Sequence, residues 1–116
     1  MKIASIAAAI ALVASVAVAG LSDKVKGALT TFMARSHPSP HTEKDLIAEL
    51  SEYSANAGLS DVSGSFGQKK YAQAAMGLDS HAHSISGDPM VQHGGPLAEP
   101  FMMLNDCVSE LHTIYK

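Results

Sequence analysis

Six histidines and a single cysteine are the residues of this chain best suited to chemistry. His81 and His83 stand two apart, a spacing that puts two imidazoles on one face of an extended strand. With His93 they form a candidate ligand set for zinc, copper or nickel, which Asp79 and Asp88 could complete. The spacing matches no strong metal signature, so a plain histidine-bearing loop competes with this reading. His37 and His41 have the three-residue gap of some zinc sites. That gap works on a helix, and Pro38 and Pro40 disfavour one, so both rings are expected in solvent.

Cys107 is the only cysteine. It cannot close an internal bridge, which excludes knottin-like, defensin-like and other disulfide-framework classes. Three readings remain for it: a buried thiol acting as a small hydrophobe, an intermolecular disulfide in a homodimer, or a reactive thiol. Asn105-Asp106-Cys107 has the rare Asn-x-Cys form of a glycosylation site, but a mid-helix position disfavours its use.

A catalytic set is harder to find. Ser65 lacks the Gly-x-Ser-x-Gly frame that builds a strained nucleophile turn. Glu49 and Glu52 are a candidate carboxylate pair, but both fall outside the apolar stripe of their helix and read as solvated. The chain is therefore expected not to be an enzyme and to need no cofactor, with Zn or Cu as the exception if the histidines bind metal. Lys69-Lys70 is a dibasic pair where a kexin-type protease could release peptides. Two exposed helical lysines are the simpler reading.

The elements that must position these groups begin after residue 19. Lys2, the apolar run Ile3 to Val18 and the small-x-small triplet Ala17-Val18-Ala19 read as a secretory signal cleaved after Ala19. A sixteen-residue helix spans about 24 Å, short of the roughly 30 Å hydrocarbon core, so a stable membrane anchor is not expected. The expected product is secreted and extracellular, a single small domain over residues 20–116. It carries seven Lys and Arg against eleven Asp and Glu, a net charge near −4. That balance argues against nucleic acid and against an anionic membrane as partners.

Four helices are expected in this domain. Val25, Ala28, Leu29, Phe32 and Met33 have the spacing of one helical face, with Ser22 as cap. Residues 35–41 break the pattern and read as a linker. Thr42 to Asp45 resembles a capping box opening a second helix, which buries Leu46, Ile47, Leu50, Tyr53 and Ala57 and ends at Gly58. A third runs from a second capping box, Ser65 to Gln68, to about Gly77, burying Phe66, Tyr71, Ala74, Ala75 and Leu78. Gly67 and Gly77 weaken it by roughly 1 kcal/mol each relative to Ala. Residues 79–95 read as a second irregular linker. The last helix runs from about Pro100 to Ile114, with Phe101, Leu104, Val108, Leu111 and Tyr115 on one face, widened by Met103, Cys107 and Ile114.

These stripes predict an all-α fold, a small bundle of three to four amphipathic helices with an irregular His/Gly/Pro loop between the last two. The expected function is that of a small secreted, non-enzymatic interaction protein with an unidentified protein partner, as in host-directed effectors and virulence factors. The alternatives are a secreted metal-binding protein using His81, His83 and His93, and a peptide precursor cut at Lys69-Lys70.

Overall fold

The computed structural model describes residues 21–37 and 41–116, and the signal segment with Ala19 lies outside them. Within the described residues the fold is all-α, with no strand. Five helices follow one another: α1 (Asp23–Arg35), α2 (Glu43–Asn56), α3 (Ser60–Gly67), α4 (Tyr71–Ile85) and α5 (Ala98–Ile114). None is long and apolar enough to cross a membrane.

Two of the three expected caps are in place. Ser22 Oγ accepts the Val25 N–H at 3.2 Å, and Thr42 Oγ1 accepts the Asp45 N–H at 3.0 Å. Each satisfies an otherwise unpaired donor of the first turn, where Asp23, Glu43 and Asp45 also complement the helix dipole. Gly58 takes φ 76° after α2, and the Leu59 N–H reaches back to the Ser54 carbonyl at 2.9 Å. This is the six-residue closure of a Schellman turn, which glycine permits without a Cβ penalty.

The third expected helix is corrected into two. Ser65 does not cap it; it lies buried inside α3, its Oγ bonded to the Asp61 carbonyl at 3.1 Å. The chain then closes a second Schellman turn, with the Lys70 N–H on the Ser65 carbonyl at 2.8 Å and the Lys69 N–H on the Phe66 carbonyl at 3.0 Å. Lys69 holds the left-handed position at φ 61°. The break lets α4 fold back beside α3, bringing Phe66 and Tyr71 within 6.2 Å. Gly77 makes that approach close: a Cβ there would lie 2.7 Å from Val62 Cγ2. The glycine read as a weakness in the helix is thus the point where α3 and α4 touch.

The second linker is also shorter than expected. Residues 79–85 belong to α4, since Leu78, Ala82 and Ile85 continue its buried stripe. The irregular part begins at Ser86 and is tied down. Asp88 Oδ1 accepts the Met90 N–H at 2.9 Å, the Leu97 N–H bonds the Met90 carbonyl at 2.8 Å, and Val91 is buried.

The helix α5 packs against α1, α2 and α4, while α1 with α2, α2 with α3, and α3 with α4 are neighbours in chain order. Leu29, Leu46, Leu50, Tyr53, Leu78, Leu104 and Leu111 fill the centre. Met33 and Ile114, expected on buried faces, are instead among the exposed large hydrophobics.

Candidate functional site

The first linker, read as a solvent-facing turn, is where the polar chemistry gathers. Ser36 ends α1, its N–H bonded to the Phe32 carbonyl. Its hydroxyl then donates to Glu49 Oε1 at 2.8 Å. The next residue, His37, donates its backbone N–H to Glu49 Oε2 at 3.0 Å and sets its ring Nδ1 against the same oxygen. Glu49 is therefore not solvated. It is 7 % exposed, on the face of α2 that also carries Leu46, Leu50 and Tyr53. Burial pushes its carboxyl up, but the His37 N–H, the His37 ring and the Ser36 hydroxyl outweigh that and hold it below the usual glutamate value. The ring hydrogen bond that Glu49 accepts raises the pKa of His37, with the nearby Asp45 carboxylate adding to it. Beside this clamp, Arg35 pairs with Glu52 at 2.7 Å.

His41 is corrected in the same way. It sits one residue before the Thr42 cap, where side chains turn back over the first turn. Its side chain is 6 % exposed. Nδ1 lies 3.0 Å from Glu110 Oε2, while Nε2 lies 3.8 Å from Glu49 Oε1 and 3.8 Å from Cys107 Sγ. Cys107 and Glu110 are three apart on α5, so one helical face presents both to the ring. Around them lies a cavity of about 160 Å³ lined by Ser36, His37, His41, Met103, Asp106, Cys107 and Glu110.

Cys107 is a free, buried cysteine, 1 % exposed. Burial first, then the carboxylates of Glu110, Glu49 and Asp106, push its thiol up to about 12. The array of thiol, imidazole and carboxylate has the order of a nucleophilic triad, but the thiol at its head stays protonated at neutral pH. An intermolecular disulfide through Cys107 would first require its thiol to be uncovered.

The expected ligand set, His81, His83 and His93, is spread out. The first two lie on α4 rather than on a strand, so their side chains diverge by roughly 200° around the axis. His81 turns inward, its Nε2 bonded to the Tyr53 hydroxyl at 2.7 Å. His83 is exposed and lines a separate groove with Asp79, Phe101 and Asn105. His93 is exposed in the loop before α5. Among the described residues, the donors that come within 4.8 Å of one another are those of His41, Cys107 and Glu110. Lys69 and Lys70 are exposed in the turn between α3 and α4 rather than on a helix.

One signal for the missed residues was present in the sequence. Glu49 falls three after Leu46 and four before Tyr53, the spacing of the buried stripe itself. A charge at such a position needs a partner, and the histidines of the preceding linker were among the candidates. Comparison with family models, with curated proteins and with solved structures finds no match.

Proposed function

We propose that this is a small exported helical protein that acts by binding a partner rather than by catalysis, in the manner of small host-directed effectors. The observation that supports it is the state of Cys107. Among the described residues, the array of thiol, imidazole and carboxylate has its thiol 1 % exposed and raised to about 12. A thiol so placed is a poor nucleophile at neutral pH, and partner binding then falls to the surface. The negative balance of charge points to a protein partner rather than to nucleic acid.

The test is expression in a secreting host, followed by intact mass under non-reducing conditions and alkylation of the folded product at neutral pH. The expected product is monomeric, matches residues 20–116, and leaves Cys107 unlabelled until denaturant is added. Retention of the full chain inside the cell would overturn the export reading. Rapid stoichiometric labelling of Cys107 in the folded protein would overturn the non-catalytic one.

A further inference from the structure

We propose that His41, Cys107 and Glu110 form a binding site for one transition-metal ion of the Zn²⁺ class. The donor types are those of zinc: an imidazole nitrogen, a thiol sulfur and a carboxylate oxygen. All three donor atoms lie within 4.8 Å of one another. The Glu110 carboxylate lies 3.0 Å from imidazole Nδ1 and the Cys107 sulfur 3.8 Å from imidazole Nε2, so the two flank different nitrogens of one ring. Donors around a tetrahedral zinc at ordinary bond lengths stand about 3.4–3.6 Å apart, so a side-chain turn of about 1 Å must bring sulfur and carboxylate to the same ring nitrogen.

Two features separate this group from a chance surface cluster. The His41 and Cys107 side chains are both more than nine-tenths buried, and both line the 160 Å³ cavity. Their donors come from two elements that the fold itself fixes: the residue ahead of the α2 cap and one face of α5. Among the described residues, the cavity wall also holds Asp106 and Glu110 and no lysine or arginine. A divalent cation would meet negative charge there and find room for a fourth ligand, a water or a group from a partner. Glu49, whose oxygens are already taken by Ser36 and His37, stands behind the ring and adds its charge from the outer shell.

Binding would replace the Cys107 thiol proton with the ion, the proton passing to solvent. No oxidant or reductant is involved. This site is independent of the non-catalytic reading: a metal would hold α2 to α5 whatever partner the surface takes.

The experiment is a titration of the full-length chain, kept reduced, with Co²⁺ as the spectroscopic probe, followed by displacement with Zn²⁺. One equivalent of Co²⁺ is expected to give a thiolate-to-cobalt charge-transfer band and tetrahedral d–d bands, both erased by one equivalent of Zn²⁺. Cys107→Ser should abolish the charge-transfer band. Glu110→Gln should weaken binding about 10- to 100-fold. The triple variant His81→Ala/His83→Ala/His93→Ala should titrate as the parent does. Absence of a charge-transfer band in the folded parent would overturn the proposal, as would loss of binding in the triple variant. If Cys107→Ser does not fold, the partly exposed Glu110→Gln decides, and parental affinity there would equally overturn the site.

Discussion

The Tyr53 hydroxyl and His81 Nε2 share a hydrogen bond of 2.7 Å, joining the last turn of α2 to the C-terminal part of α4. Their rings lie 5.6 Å apart, and Phe32 of α1 meets Tyr53 edge-on at 5.8 Å. Three helices thus converge on one phenol, and its histidine partner sits where burial favours the neutral ring. Burial lowers the His81 pKa from its ordinary value. The unfolded chain then binds the extra proton more readily than the folded one.

The stability that this pair contributes should be fully present above about pH 6.5, the unfolded value, and lost as pH falls through the lower folded value. Denaturant midpoints measured from about pH 8 to about pH 5 should fall toward acid, and His81→Gln should flatten that fall. Tyr53→Phe should cost about 1 kcal/mol at neutral pH, the net worth of one hydrogen bond. A parental pH slope in His81→Gln would show that another group controls acid stability.

Glu49 should matter more than any other acidic residue to the α1–α2 linker. Glu49→Ala leaves the Ser36 hydroxyl and the His37 N–H without their acceptor, which predicts a loss of about 2–3 kcal/mol by chemical denaturation. Glu49→Gln keeps one acceptor and should lose about half as much. A change within about 0.5 kcal/mol in Glu49→Ala, as for an ordinary surface substitution, would mean that the linker holds without its clamp.

Glycine-to-alanine changes should have opposite signs at two nearby positions. Gly64→Ala meets nothing within 4 Å and should stabilise α3 by up to about 1 kcal/mol through helix propensity. Gly77→Ala meets Val62 Cγ2 at 2.7 Å and should destabilise by about 1–3 kcal/mol despite the same propensity gain. Adding Val62→Ala to Gly77→Ala should recover part of that loss, a coupling that a double-mutant cycle reads directly.

Lys69→Gly should stabilise the protein by about 1 kcal/mol, because the left-handed φ of 61° strains any residue with a Cβ. Thermal unfolding of the two proteins side by side is sufficient. A destabilised glycine variant would show that the lysine side chain contributes more than its backbone strain takes away.

The helices were legible where apolar spacing and a cap agreed. Ser22 and Thr42 located two starts, Gly58 located one end, and the stripe of α5 from Phe101 to Leu111 is buried as its spacing requires. The α3–α4 turn was not legible because it depends on Lys69 adopting a conformation that sequence reserves for glycine or asparagine. The continuation of α4 through His81 was hidden by polar residues. Ala82 and Ile85 carry its stripe, but Ser80, His83 and Ser84 dilute the pattern. The His41 cluster was unreadable for a different reason. His41 and Cys107 are 66 residues apart, and only the docking of α5 brings them together.

That separation has a consequence for how the protein is made. The contacts His41–Glu110, His41–Cys107 and Tyr115–Glu43 all link the start of α2 to α5 across most of the domain. Closing such long loops is entropically slow, whereas the α3–α4 contacts are local and fast. A chain emerging from a ribosome or a translocation channel can assemble α1 to α4 early, yet its polar cavity has no second wall until α5 arrives. The cavity is therefore a late product of folding, and trimming the chain within α5 would remove it while leaving the earlier helices their own contacts.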